Sequence, residues 1–139
     1  MSAKVFLDTN ILVYAHDRAC PDKMAKAQQL IFHSLRSRSA AISAQVLSEF
    51  FVTVTQKARK PMPVDQAKRE LELLSSLETV EIDAPMVLRA VGIEQRWQLS
   101  YWDSLIIAAA ERAGCATVYS EDFSDGRRYG VVVARNPFL

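Results

Sequence analysis

The sequence predicts an α/β protein with a central parallel sheet of about five strands and helices on both faces. Short apolar runs alternate along the chain with longer segments of helical periodicity, and this alternation favours parallel strands joined by helices. Half of the 139 residues are hydrophobic and 24% are charged, a balance typical of a globular protein with a core. The length suits one domain, so we expect a single unit over residues 1–139.

The five predicted strands are short apolar runs that end at polar or turn-forming residues. Asp8 ends the first run, and the turn at Asp125-Gly126 precedes the last. The predicted strands cover residues 5–7, 40–43, 79–82, 116–119 and 131–134.

Six segments with apolar residues three and four positions apart predict helices. Pro21 and Pro85 suit the first turn of their helices, where a missing N–H removes no hydrogen bond. Pro61 and Pro63 end the third helix, and Gly114 ends the sixth. The predicted helices cover residues 10–16, 21–38, 44–60, 64–77, 85–97 and 100–113.

Charge and composition exclude several classes of protein. With 17 basic and 16 acidic residues the net charge is +1, so nucleic-acid binding would have to rely on local patches. No apolar run is long enough to span a membrane and no signal peptide is evident, so we expect a cytoplasmic protein. Cys20 and Cys115 are isolated and are expected to be free thiols, although one disulfide is possible.

Four acidic residues are candidates for a shared site. Asp8 and Asp122 follow the first and fourth strands, and the carboxyl ends of parallel strands meet at the edge where α/β proteins bind ligands. Asp103 falls on the apolar side of its helix, where a carboxylate loses hydration unless it is compensated. Glu49 lies at the border of its helix's apolar stripe and could face either the core edge or solvent.

Each of these acids also has an ordinary structural explanation. Asp8 and Asp103 both suit helix N-terminal capping, Glu49 suits a solvated helix face, and Asp122 and Asp125 suit turns. Only the set favours a functional site. Two carboxylates about 5 Å apart repel by roughly 3 kcal/mol at an effective dielectric near 20, so such a cluster takes up protons or a cation. All-oxygen ligands suit Mg²⁺ or Mn²⁺.

Several motifs occur in order along nearly the whole chain. They are FLDTNILVY at residues 6–14, SEF at 48–50, YWDSLI at 101–106 followed by AAA at 108–110, SEDF at 120–123 and NPF at 136–138. This series resembles the PIN-domain family, and specifically the VapC-type toxins of bacterial toxin–antitoxin pairs.

The resemblance implies a three-layer PIN-like sandwich and a Mg²⁺- or Mn²⁺-dependent ribonuclease. By position, Asp8, Glu49 and Asp103 correspond to the three central acids and Asp122 to a variable fourth, with Glu121 and Asp125 close by as alternatives. Asp8, Asp103 and Asp122 would hold one or two ions, and Glu49 would orient a water or complete the metal shell. Other side chains are candidates for hydrogen bonds that orient the acids. They are Thr9, Asn10 and Ser120.

The resemblance also implies partners, namely an RNA substrate, a cognate antitoxin and a second copy in a homodimer. Phe32 and Leu73 lie off the apolar stripes of their helices and are expected to be exposed, as at an interface. Two basic clusters are candidate RNA contacts, and Tyr101 and Trp102 could stack a base. The clusters are Lys57, Arg59 and Lys60, and Arg127 with Arg128.

Other functions remain open. A housekeeping RNA-processing nuclease would need no antitoxin, and a PIN fold could be kept for binding alone. An aspartyl phosphatase typically has a second Asp two residues after the first, where this chain has Asn10. Receiver modules need an acidic pair near the first strand, and this chain has no clear pair there. Nucleotide-binding modules need a phosphate-binding glycine motif, and none is present.

Overall fold

The computed structural model describes residues 3–139, which form a six-stranded sheet and six α-helices. The strands are β1 (Val5–Leu7), β2 (Ala40–Ser43), β3 (Glu78–Val80), β4 (Thr117–Tyr119), β5 (Arg128–Tyr129) and β6 (Val132–Arg135). The helices are α1 (Thr9–Tyr14), α2 (Pro21–Ser37), α3 (Ala44–Val52), α4 (Val64–Leu74), α5 (Ala84–Trp97) and α6 (Tyr101–Arg112).

The strand order across the sheet is β3-β2-β1-β4-β6-β5, and every pair is parallel except β5 with β6. The predicted α/β fold with a mostly parallel sheet is therefore confirmed, with one additional strand. All four residues of β2 are buried, as expected of a strand covered on both faces. The chain runs from β1 outward to β3 and then returns to the other side of β1 as β4. Ligand-binding crevices form at such a reversal, beside the carboxyl ends of β1 and β4.

The strand missing from the sequence prediction is β5, which is only two residues long. It forms a hairpin with β6, in which Tyr129 pairs with Val132 around a two-residue loop. Gly130 opens this loop with φ +64°, a conformation that the tight hairpin turns require and that glycine adopts without strain. A two-residue strand is too short for alternation of polar and apolar side chains to reveal it.

The predicted helix over residues 44–60 was wrong in its second half. The α-helix ends at Val52, and a π-helical turn follows over Thr53–Lys57, hereafter the π turn. The backbone N–H of Ala58 donates to the Thr53 carbonyl at 2.9 Å, which closes the wider ring of a π-helix. The other elements differ from prediction only at their ends, as is usual for sequence-based boundaries.

One hydrophobic core joins these elements, with Phe6, Ile42, Phe50 and Ile106 among its fully buried side chains. Helix α6 packs against α5 and reaches β2, β4 and β6, while α1 lies against α2 and α3. No helix formed by residues 3–139 has both the length and the apolar character needed to cross a bilayer.

Several single side chains have the exposure and bonding state expected from the sequence. Phe32 and Leu73 are exposed, as their helix positions predicted, and Cys20 and Cys115 are free thiols. Burial raises the pKa of the Cys115 thiol to about 12, so this cysteine is inert at neutral pH.

Candidate active site

A pocket of about 600 Å³ opens beside the carboxyl ends of β1 and β4. It is lined by Asp8, Glu49, Asp103 and Asp122, the four acids singled out in the sequence. Asp8 follows β1, Asp122 follows β4, Glu49 lies on α3 and Asp103 lies in the first turn of α6. The fold thus brings together four carboxylates that are separated by up to 114 residues in the chain.

Asp8 is the most buried of the four, with 4% of its surface exposed. Its Oδ1 accepts a hydrogen bond from the Thr9 backbone N–H at 2.7 Å, and its Oδ2 accepts one from the Ser120 hydroxyl at 2.7 Å. Burial raises the pKa of Asp8 to about 7. These two hydrogen bonds oppose the rise, while the negative charges of Asp122 and Glu49 add to it. The capping role expected of Asp8 is therefore present, alongside a strongly perturbed carboxyl.

The Ser120 hydroxyl links the two strand ends. Besides donating to Asp8, it accepts hydrogen bonds from Asn10 Nδ2 and from the Asp122 backbone N–H, both at 3.0 Å. Asn10 Nδ2 also donates to Asp122 Oδ2 at 3.1 Å, and Asn10 Oδ1 accepts from the Glu121 N–H at 3.3 Å. Ser120 is fully buried and its hydrogen-bonding capacity is used completely, so the network fixes Asp8 relative to Asp122.

Glu49 is held by one side-chain contact, from the Thr9 hydroxyl, which donates to Glu49 Oε1 at 2.8 Å. Since the Thr9 backbone N–H binds Asp8, a single residue connects the two acids. Glu49 is partly exposed and its helix faces the pocket. Of the two alternatives left open by the sequence, the structure places Glu49 at the pocket wall with access to water.

Asp103 is half-buried, and its environment disfavours ionisation. Burial raises the pKa of Asp103, with further contributions from the charges of Asp122 and Glu49, while a hydrogen bond with Ser100 opposes the rise. The Ser100 hydroxyl accepts the Asp103 backbone N–H at 3.1 Å, so the predicted helix cap is also formed. Repelling carboxylates of this kind are stabilised by protons or by a cation.

The neighbours of Asp122 have other partners. Glu121 Oε2 forms an ion pair with Lys23 at 2.9 Å, and Glu121 Oε1 accepts the Tyr14 hydroxyl. Burial raises the pKa of Glu121, but the hydrogen bonds from Tyr14 and Lys23 outweigh it and hold the pKa below its usual range. Asp125 lies outside the pocket and accepts the Asn136 backbone N–H at 2.8 Å. Asp122 is therefore the best placed of the three acids to act with Asp8.

The candidate RNA contacts are not equivalent. Lys57 lines the pocket, whereas Arg59 and Lys60 are exposed beyond it. Arg127 stacks over the Tyr129 ring at 5.1 Å and, like Arg128, does not line the pocket. The Trp102 side chain is 61% exposed at the pocket rim, with its ring against that of Tyr101.

Gln45 and Asp17 are polar pocket residues that the sequence analysis did not single out. Gln45 lies four positions before Glu49 on α3, so the helical period could have indicated it. Its Nε2 donates to the Trp102 carbonyl at 3.2 Å, and its buried Oε1 has no partner among the described residues. Asp17 lies in the loop after α1, where no periodic signal exists.

The donor set of the pocket fits a hard divalent cation. It offers carboxylate oxygens with raised pKa values and no histidine or cysteine among the described lining residues. Within residues 3–139, no three such side chains converge closely enough to hold an ion by themselves. Mg²⁺ usually keeps several waters and takes only one or two carboxylates together with substrate phosphates, so this spacing suits Mg²⁺ better than a closed zinc site.

Comparisons with known proteins agree with this architecture. The family model described as "PIN domain" matches residues 5–125. Among curated proteins, no sequence matches the chain significantly.

Several solved structures share the fold. A chain of a toxin–antitoxin complex from Klebsiella pneumoniae has 22% identity and a TM-score of 0.67, covering 96% of this chain and 98% of its own. Mycobacterium tuberculosis VapC20, described as a sarcin-ricin loop cleaving toxin, has 18% identity and a TM-score of 0.64. The match covers 87% of this chain and 90% of the VapC20 chain. A chain of Rickettsia felis VapBC2 bound to promoter DNA has 22% identity and a TM-score of 0.65, covering 95% and 97%. At these identities the likeness establishes the fold.

Proposed function

The chain belongs to the PIN domain family, and from this premise we propose that it is a Mg²⁺- or Mn²⁺-dependent endoribonuclease, the toxin of a toxin–antitoxin pair. The observation that carries the proposal is the meeting of Asp8, Glu49, Asp103 and Asp122 in one pocket at the sheet's reversal point. Perturbed carboxylates in a cleft are typical of functional sites.

In the proposed mechanism Asp8, Asp103 and Asp122 would hold the cation together with waters and substrate phosphate oxygens, because no three acidic side chains within residues 3–139 converge closely enough to do so alone. The chemistry that a bound divalent ion supplies is charge neutralisation at a phosphate oxygen and a lowered pKa for a water nucleophile. Burial raises the pKa of Asp8 to about 7 in the absence of a cation, and the positive charge of a bound ion would lower that pKa and favour the ionised carboxylate as a ligand. Ser120 and Asn10 keep Asp8 and Asp122 in register while this happens.

Glu49 is the proposed group that orients the attacking water. Its Oε1 accepts the Thr9 hydroxyl, which leaves Oε2 free of described protein partners and open to the pocket. A carboxylate anchored through one oxygen can align a water through the other and receive its proton. The products expected of this hydrolysis carry 5′-phosphate and 3′-hydroxyl ends.

The proposed partners are RNA, a cognate antitoxin and a second copy of the chain. Three similar structures are described as toxin–antitoxin or VapBC assemblies, which supports the antitoxin. Leu88 and Val91, three positions apart on α5, are both exposed, as are Phe32 on α2 and Leu73 on α4, and exposed large apolar side chains are compatible with an interface. As a toxin that acts on cellular RNA, the protein would work in the cytoplasm.

The test of the enzymatic proposal is a digest of total cellular RNA with Mg²⁺, with Mn²⁺ and with excess chelator, followed by mapping of the new ends. We expect cleavage with either metal, none with chelator, and 5′-phosphate ends. Hydrolysis of small phosphate monoesters but not RNA would instead identify a phosphatase. Cleavage that persists in chelator would exclude the metal site.

The toxin proposal has its own test. We expect expression of the parent chain to arrest growth, Asp8→Asn to relieve the arrest, and a small protein encoded beside it to copurify. A harmless, monomeric chain with no copurifying protein would instead identify a housekeeping nuclease, and a chain that binds RNA without cutting it would be a binding module.

A further inference from the structure

The face that α3 turns toward the pocket follows the period of an α-helix. The pocket is lined by Gln45, Ser48, Glu49 and Val52 of α3 and by Thr53, the first residue of the π turn. These positions repeat at intervals of three and four, which is one face of a helix with 3.6 residues per turn. If the α-helix continued, the next residue on this face would be Gln56, eleven positions after Gln45. Gln56 would then lie near the middle of this face, and Lys57 at its edge, roughly 40° beyond Thr53.

The structure shows the opposite placement, because Lys57 lines the pocket and Gln56 does not. The cause is the π turn over Thr53–Lys57, which contains roughly one residue more than an α turn and so shifts the helix face by one position. Two backbone hydrogen bonds fix this geometry, from the Ala58 N–H to the Thr53 carbonyl at 2.9 Å and from the Met62 N–H to the Val54 carbonyl at 2.8 Å.

Lys57 is the one cation among the described residues that line the pocket. It is exposed and takes part in none of the ion pairs formed within residues 3–139. The same pocket is lined by six carboxylates, Asp8, Asp17, Glu49, Asp103, Glu121 and Asp122. RNA approaching this pocket meets a negative electrostatic field. A bound divalent ion would offset the charge of the central acids, and the Lys57 ammonium group offsets the charge at the end of the helix.

We propose that the π turn serves to place Lys57 in the pocket, where its ammonium group binds an RNA phosphate next to the scissile one. This inference rests on the proposed function and deepens it by assigning one substrate contact to one residue. Lys57 would bind and position the RNA, whereas the acidic residues and their cation would contact the scissile phosphate. Arg59 and Lys60, which lie outside the pocket, are left without this role.

The experiment uses three variants that differ little in stability, because all the altered side chains are exposed. Lys57→Gln removes the amine. The double change Gln56→Lys with Lys57→Gln moves the amine by one residue and preserves net charge and composition. Lys26→Gln, an exposed lysine on α2 outside the pocket, controls for loss of one positive charge. Cleavage of a short labelled single-stranded RNA is measured for each variant across a salt series. Binding of the same RNA is measured across the same series with Asp8→Asn added to each variant, so that the RNA stays intact.

We expect Lys57→Gln to raise KM and the dissociation constant about two- to fivefold at low salt while kcat is retained, the scale of one exposed ion pair. The slope of log affinity against log salt should fall by about 0.7, the value for one phosphate contact on a single strand. The double variant should resemble Lys57→Gln, and Lys26→Gln should resemble the parent.

Two results would overturn the inference. One is an unchanged salt slope in Lys57→Gln, and the other is full recovery in the double variant, which would show that the π register is irrelevant. Both leave the nuclease proposal intact. A parent chain that binds RNA but never cleaves it, in any of the metals, would contradict the proposed function instead.

Discussion

Two walls of the acidic pocket differ in how they hold their functional groups. The strand-end wall, formed by Asp8, Ser120 and Asp122, is closed by a hydrogen-bond network in which the buried Ser120 hydroxyl uses all its capacity. The helical wall, formed by the pocket side of α3 and the π turn, holds Glu49 through one hydroxyl and leaves Lys57 unpaired among the described residues. Under the proposed function, the first wall would be preorganised for a cation, and the second would be able to adjust to a substrate.

The comparison implies that the largest loss of activity comes from the strand-end wall. Asp8→Asn should reduce cleavage by about a thousandfold or more, because the neutral amide no longer offers a charged ligand in the buried position. Cleavage of one defined oligoribonucleotide measures the loss, and thermal unfolding monitors the fold. Asp103→Asn is the matched change across the pocket and should be nearly as severe. Parental rates in either variant would remove that acid from the proposed site.

Burial of Asp8 also predicts how stability depends on pH in chelator. The pKa is about 7 in the folded protein and about 3.9 when unfolded, so the unfolded chain releases its proton first as pH rises. The free energy of unfolding should therefore fall as pH rises from about 4 to 7 and level off above about pH 7. Asp8 can account for at most roughly 4 kcal/mol of this fall.

The control for this titration is Asp8→Asn. Its amide must direct an N–H toward either the Thr9 N–H or the Ser120 hydroxyl, which lowers its stability at every pH by a constant amount. Urea unfolding at several pH values should show a difference between parent and variant that changes across pH 4–7. If the difference in stability between parent and variant stayed constant across this range, the pKa of Asp8 would not be raised in the folded protein.

On the helical wall, Glu49→Gln should reduce kcat by roughly a hundredfold, the scale of a positioned acid–base group. Glutamine can still accept the Thr9 hydroxyl, so the fold and the affinity for RNA should be retained. Single-turnover cleavage by the two proteins measures the change. A loss of only a few-fold would make Glu49 a solvated helix residue, as its partial exposure alone would suggest.

The sequence predicted the strand-end wall better than the helical wall, for a physical reason. Asp8 and Asp122 each follow an apolar run, and parallel strands bring such positions to one edge whatever the details. The choice between Glu121 and Asp122 depends on Lys23 and Tyr14, which approach from distant segments that no local pattern reveals. The π turn is equally hidden, because Gln56 and Lys57 are both polar and either suits an exposed helix position.

The smallest effects are expected from two variants that each remove one hydroxyl, one from each wall. Ser120→Ala takes a partner from Asp8, from Asn10 and from the Asp122 N–H at once, in a fully buried position. Thr9→Val keeps the backbone bond to Asp8 and removes only the hydroxyl that binds Glu49.

Ser120→Ala should lower activity about tenfold or more, raise the pKa of Asp8 further and cost about 1–3 kcal/mol of stability, because buried polar groups lose their partners. Thr9→Val should lower kcat only a few-fold and leave stability within about 1 kcal/mol, since water can replace the lost hydroxyl at a partly exposed site. Denaturant unfolding and kinetics on both variants, with and without Mg²⁺, make the comparison. Equal losses would mean that the two walls are equally rigid, and that water does not compensate the helical wall.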